Sequence, residues 1–224
     1  MRTNFLRGSW VALITPFSED GKIDFKAFEK LVKMQVAAGT DGILICGTTG
    51  ESVTLTYDEK KALMTEVRRI TAGKVPIMFG TGGNNTSAVV ELTAKAVDLG
   101  ADAVLVVTPY YNKPPQEGLK MHYKAVADAT PLPLVLYNVP GRTGCNLLPD
   151  TVVALAAEKN IVAVKEASGN LDQIMEIIRR VPAGFGVFSG DDGLNLPIMA
   201  CGGIGTISVT ANVAPVMMKK FNDA

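Results

Sequence analysis

Lys165 closes the apolar stretch Ile161, Val162, Ala163 and Val164, which has the length and character of a strand buried on both faces. Carrying an ammonium group into such surroundings is costly, because lysine is among the residues least often buried and desolvation favours its neutral amine. A neutral lysine near physiological pH is a nucleophile suited to imine formation with a carbonyl substrate. The plainer alternative is a lysine that turns to solvent or pairs with Glu166. Tyr137 closes a similar run, 134–137. A phenol beside a desolvated amine suits carbinolamine chemistry, which needs a proton moved on and off one oxygen; otherwise Tyr137 is a core tyrosine with one satisfied hydroxyl. In Gly47-Thr48-Thr49-Gly50 a flexible backbone and two hydroxyls feed a helix, so its N–H groups could hold a carboxylate, or the threonines could bond their own backbone. Arg142, the permanent cation close to Tyr137 in sequence, could grip a second carboxylate with its planar fork or stay solvated in its loop.

These residues need elements to bring them together. Eight apolar runs of strand length recur, at 10–14, 43–46, 76–79, 103–107, 134–137, 161–164, 185–188 and 204–209. Helical periodicity fills the gaps: Phe25, Phe28, Leu31, Val32 and Val36 share one face behind an Asp24 N-cap. Thr56 and Glu59 are spaced as a capping box, and Gly39 and Gly100 are placed to stop helices. The segments 39–45 and 100–106 share a Gly-x-Asp-x pattern followed by apolar residues, as expected if one helix–turn–strand unit repeats. Eight near-continuous apolar strands alternating with helices fit a parallel (β/α)8 barrel better than an open doubly wound sheet, and predict one barrel domain over residues 1–224. In a barrel the site is built at the C-terminal strand ends. Tyr137 and Lys165 are each the fourth residue of runs five and six counted from 134 and 162, so they are predicted to stand side by side.

Composition narrows the partners. Twenty-two basic residues balance 22 acidic ones in a chain of 224, with no long run of either sign, so a field for nucleic acid or an anionic membrane is absent. No apolar stretch reaches the roughly 18 residues of a membrane span, and residues 1–6 lead into a strand without a secretory core, so a cytoplasmic enzyme acting on small molecules is expected. Cys46, Cys145 and Cys201 are odd in number and widely spaced, which indicates neither disulfides nor zinc. Gly80-Thr81-Gly82-Gly83 with Asp102 mimics a dinucleotide fingerprint, but Asn85 stands at the third glycine and Asp102 precedes its strand. Asp191 and Asp192 read as caps of a helix start rather than metal ligands. His122 stands alone, so no histidine cluster for zinc can form. Gly202-Gly203 precedes the eighth run, at the wrong end of the barrel for a phosphate site.

Gly47-Thr48-Thr49-Gly50-Glu51, Tyr137-Asn138-Val139-Pro140-Gly141-Arg142-Thr143-Gly144 and Val164-Lys165-Glu166-Ala167-Ser168-Gly169 together resemble the dihydrodipicolinate synthase family of pyruvate-dependent class I aldolases, along the whole chain. The resemblance implies aldol condensation of pyruvate with L-aspartate 4-semialdehyde in lysine (diaminopimelate) biosynthesis, with no metal or organic cofactor. It implies that Lys165 forms the Schiff base, that Tyr137 shuttles protons, and that Thr48 links it to Tyr111, a tyrosine supplied in the family by a neighbouring subunit of a dimer of dimers. Thr48 and Thr49 would hold the pyruvate carboxylate and Arg142 that of the semialdehyde, with Gly190 and the Ile207 carbonyl lining the pocket. The wider superfamily, including N-acetylneuraminate lyase and keto-deoxy sugar acid aldolases, shares the lysine and the tyrosine; Arg142 favours the first activity. A non-catalytic or inactive shortened barrel is the rival of another class.

The chain departs from the family in two ways. Family members continue past this point into a C-terminal helical region, most of which is absent by Ala224, although 214–221 can begin the eighth outer helix. Ser52, Asn84 and Tyr110 match the lysine-binding allosteric pocket of feedback-inhibited members, but Ala88 replaces an acid, and Tyr57 and Lys60 replace histidines. Weak or absent inhibition by lysine is expected.

Overall fold

A computed structural model of the chain describes residues 4–224, so the first three residues of the expected lead into strand one lie outside it. Eight parallel strands, β1 (Gly8–Ala12), β2 (Gly42–Ile45), β3 (Ile77–Gly80), β4 (Ala103–Val107), β5 (Leu134–Asn138), β6 (Ile161–Glu166), β7 (Gly186–Ser189) and β8 (Gly205–Ser208), close in sequence order into a barrel. Around them run α1 (Phe25–Ala38), α2 (Tyr57–Thr71), α3 (Thr86–Asp98), α4 (Gln116–Asp128), the single turn α5 (Pro140–Thr143), α6 (Pro149–Leu155), α7 (Leu171–Arg180), α8 (Asn195–Ala200) and α9 (Pro215–Asp223). This is the (β/α)8 architecture that the alternating runs predict.

Helix boundaries follow local chemistry. Asp24 caps α1 by accepting from the Ala27 N–H at 2.9 Å. Thr56 and Glu59 form the reciprocal capping box of α2, the Glu59 carboxylate accepting the Thr56 N–H at 2.7 Å and the Thr56 hydroxyl accepting the Glu59 N–H at 3.3 Å. Gly39 and Gly100 leave α1 and α3 at φ +76° and +77°, a left-handed conformation that glycine adopts without strain. The repeated Gly-x-Asp has a shared purpose. Asp41 accepts the backbone N–H of Ser9 at 2.7 Å and Asp102 that of Ile77 at 2.8 Å, so each carboxylate pins the entry of one strand to its neighbour at the bottom of the barrel.

Six strands lie within one residue of their apolar runs at each end, and two depart by two residues. β1 covers 8–12 rather than 10–14, because Gly8 pairs with Gly205 of β8, while Ile14 instead gives its N–H to the Asn212 side chain. β6 runs two residues past Val164, with Lys165 paired to Tyr137 and Phe188, and Glu166 to Asn138 and Ser189. Polar side chains end an apolar run without ending the backbone ladder, so Lys165 lies inside its strand.

Side chains alternate across each strand. Trp10, Leu44, Met78, Leu105, Val135, Ala163, Phe188 and Ile207 pack inside the barrel, with Trp10 and Phe188 edge to face at 6.5 Å. Leu136, Val164 and Val187 face the helices. Tyr137 follows Val135 and Lys165 follows Ala163 on the inward face; Asn138 and Glu166 therefore point outward.

Candidate active site

The pairing of β5 with β6 sets Tyr137 opposite Lys165, and the Lys165 Nζ lies 4.5 Å from the centre of the tyrosine ring. Lys165 is 4% exposed, and none of its described neighbours within salt-bridge distance is a carboxylate. Burial pulls its pKa down to about 8, helped by the Arg142 guanidinium and opposed by the Asp192 carboxylate. The pairing with Glu166 is not formed, because that side chain points to the opposite face, where Asn138, Ser168 and Gln173 bond it. Burial also raises the Tyr137 pKa above its usual value, while the Thr48 hydroxyl and Arg142 pull the other way, so at neutral pH the group is a phenol with a proton to give.

Above the pair opens a cavity of about 570 Å³ lined by Thr48, Thr49, Tyr137, Arg142, Lys165, Gly190, Asp192 and Thr210, among others. Thr48 and Thr49 occupy the turn after β2, anchored where the Thr15 hydroxyl donates to the Gly50 carbonyl at 2.7 Å. Among the described residues neither the Thr48 nor the Thr49 N–H donates to a backbone carbonyl, which leaves two donors for an anion. Arg142 stands on α5, started by Pro140 and ended by Gly144 at φ +68°. Gly190 has no room for a side chain: a Cβ there would lie 2.7 Å from the Lys165 Cε. Its N–H donates to the Glu166 carbonyl at 2.8 Å, holding the turn against the lysine strand.

The structure thus brings Lys165, Tyr137, Thr48, Thr49, Arg142 and Gly190 to one cavity. The Ile207 side chain is fully buried inside the barrel beneath it, and Val209 and Thr210 form that wall. Tyr111 does not line the cavity. It is 87% exposed at φ +72°, a backbone conformation unusual for so bulky a residue. Sequence reasoning missed Asp192. Asp191 does cap a helical turn, accepting from Gly193; both acids line the cavity, and Asp192 accepts the N–H groups of Val209 and Thr210 at 3.0 and 2.8 Å. Burial would raise its pKa, yet bonds from Thr210, Ser208 and Asn195 outweigh that and hold it lowered, so a fixed anion faces the lysine. The signal was its place in the loop that follows β7, where this architecture builds its sites.

Neighbouring residues form a second cavity lined by Ser52, Lys60, Asn84, Ala88 and Tyr110, with no carboxylate in its wall. No helix among the described residues is long and apolar enough to cross a membrane.

The sequence matches the model of the dihydrodipicolinate synthetase family over residues 5–224. It is 54% identical over 218 residues to a 4-hydroxy-tetrahydrodipicolinate synthase of Geotalea uraniireducens, covering 97% of this chain and 75% of that one. A crystal structure of the chloride-inhibited dihydrodipicolinate synthase from Acinetobacter baumannii complexed with pyruvate superposes with a TM-score of 0.95 at 48% identity, over 97% of this chain and 75% of that one. A structure described as the first monomeric dihydrodipicolinate synthase variant gives 0.96 at 42% identity, over 98% and 74%. These relatives are lyases of the class I aldolase type. The buried amine, its phenol neighbour and the threonine turn stand on a barrel shared with them at about this level of identity, and the chain belongs to the dihydrodipicolinate synthetase family.

Proposed function

We propose that the chain condenses pyruvate with L-aspartate 4-semialdehyde to 4-hydroxy-tetrahydrodipicolinate through an imine on Lys165. The observation that carries this reading is a lysine with a pKa of about 8, buried beside Tyr137 and under Arg142 in one cavity. At neutral pH a usable fraction of Lys165 is free amine. Its Nζ attacks the keto carbon; the C–N bond forms as the carbonyl oxygen takes a proton, and a second proton lets that oxygen leave as water. Tyr137 is placed to deliver and recover those protons. The Thr48 and Thr49 N–H groups support the pyruvate carboxylate as donors. Loss of a methyl proton gives the enamine, whose carbon attacks the aldehyde carbon, and the aldehyde oxygen is protonated. The substrate's own amine then adds to the imine carbon and expels Lys165, which regenerates the enzyme without a cofactor. Arg142 on the rim grips the carboxylate of the semialdehyde. Tyr111, projecting from the surface, supports a relay completed between copies of the chain, although one dihydrodipicolinate synthase variant is described as monomeric.

Borohydride reduction in the presence of pyruvate is expected to fix the pyruvate carbons on Lys165, seen as a mass increase on its peptide. Absence of the adduct in folded protein sinks the reading. Adduct formation without turnover of the semialdehyde, but with turnover of a sugar acid, assigns the other aldolase activity.

The second cavity leads to a separate expectation. Lys60 lines it and no acid does, so the ammonium of an amino-acid effector meets a cation and no counter-ion. Titration with L-lysine is expected to leave turnover essentially unchanged; strong inhibition would contradict this.

A further inference from the structure

The chemistry above uses the inward faces of β5 and β6. On their outward faces the very next residues, Asn138 and Glu166, are both fully buried and are partners in register. The Glu166 carboxylate accepts three hydrogen bonds, from Asn138 Nδ2 at 2.6 Å, Ser168 Oγ at 2.8 Å and Gln173 Nε2 at 3.2 Å, and no cation among the described residues pairs with it. A buried carboxyl without a counter-ion is expensive, and it survives only where donors surround it. Asn138 passes the connection on. Its Nδ2 reaches Asn146 Oδ1 at 2.8 Å and its Oδ1 accepts the Leu147 N–H at 2.9 Å, while Asn146 Nδ2 donates to Gln173 Oε1 at 2.8 Å.

Between Asn138 and Leu147 the chain leaves the barrel, forms α5 with Arg142 on it, and returns. Both feet of that excursion are therefore tied, through Asn138 and Asn146, to the carboxylate that follows Lys165. Lys165 itself needs no such tie, because ladder pairing to both neighbouring strands fixes it. From this asymmetry we infer that Glu166 is a positioning residue for the second substrate: it holds the Arg142 segment in register with Lys165 and so sets recognition of the aldehyde's carboxylate. The inference rests on the roles proposed above for Lys165 and Arg142.

A neutral amide cannot take its place. Ser168 can accept as well as donate, but Asn138 and Gln173 donate to different oxygens and neither is free to turn over, because Asn138 Oδ1 holds the Leu147 N–H and Gln173 Oε1 holds Asn146 Nδ2, so glutamine in either orientation would set one N–H group against another. In E166Q the KM for aspartate semialdehyde is expected to rise about tenfold or more, the scale of one unsatisfied buried polar group, while the rate of borohydride-trapped pyruvate adduct stays within about threefold of the parent. N146A, at a half-exposed position, cuts the loop end of the network without touching the carboxylate and is expected to raise the same KM selectively. Equal changes in both substrates, or no change in either, overturns the inference. Should E166Q fail to fold, N146A decides: an unchanged aldehyde KM overturns it. Failure of the parent protein to trap pyruvate instead removes the Lys165 reading on which it is built.

Discussion

Replacing Lys165 with methionine is expected to abolish the borohydride-trapped pyruvate adduct and to lower turnover by at least roughly a thousandfold, the scale seen when a nucleophile is removed. K165R is expected to be equally inactive, since a guanidinium stays charged and cannot attack a carbonyl. Stability should move the opposite way. Lys165 titrates near 8 in the fold against the ordinary 10.5, so below pH 8 the folded protein must hold a buried ammonium that the unfolded chain leaves in water. With each pKa unit equivalent to about 1.4 kcal/mol, the methionine variant gains up to about 3 kcal/mol at neutral pH. The sign follows from linkage. Between pH 8 and 10.5 the unfolded state binds more protons than the folded one, so the parent's stability rises with pH and the advantage of methionine shrinks across that window. Denaturant unfolding of the two proteins at pH 7 and pH 10 measures it. A methionine variant less stable than the parent at pH 7 contradicts a buried, desolvated lysine.

Much of this arrangement is legible in the residues, for identifiable reasons. A parallel barrel buries both faces of each strand, so strands appear as apolar runs, and eight of them with capped helices between specify the fold. Once the strands are aligned, Tyr137 and Lys165 fall in register because both are ladder-paired. Boundaries are less legible. Lys165 and Glu166 end an apolar run yet continue the strand, since hydrogen bonding of the backbone does not depend on side-chain polarity. Opposite directions of successive side chains explain why Lys165 and Glu166, adjacent in sequence, serve different environments. Asp192 was hidden by its neighbour: two acids at a helix start read as caps, and Asp191 is one, whereas the cavity-facing role of Asp192 depends on backbone donors from Val209 and Thr210, 17 and 18 residues away. Convergence of that kind leaves no local pattern. The placement of Tyr111 is similar, since a surface tyrosine at positive φ cannot be foreseen from the apolar periodicity that located its strand.

Tyr137→Phe separates proton transfer from packing. The ring is buried in the barrel interior and the hydroxyl acts at the cavity, so phenylalanine keeps the packed volume and removes only the group that handles protons. A loss of kcat of about 10²- to 10⁴-fold is expected, the usual contribution of a positioned acid or base. KM for either substrate should change little, because Thr48, Thr49 and Arg142 keep their places. Adduct trapping should slow without disappearing, since Lys165 still attacks and water can still dehydrate the carbinolamine, only less well. Removing the Thr48 hydroxyl alone, as T48V, leaves the phenol in place and is expected to cost less than Y137F. This ordering distinguishes a proton donor from a ring that merely covers the lysine. If the hydroxyl were incidental and the aromatic face over Nζ were the contribution, Y137F would trap pyruvate and turn over at close to the parental rate, and Y137L would be the damaging change. Steady-state kinetics with trapping of these three variants decides between the two accounts, and a Y137F enzyme within threefold of the parent in kcat sinks the first.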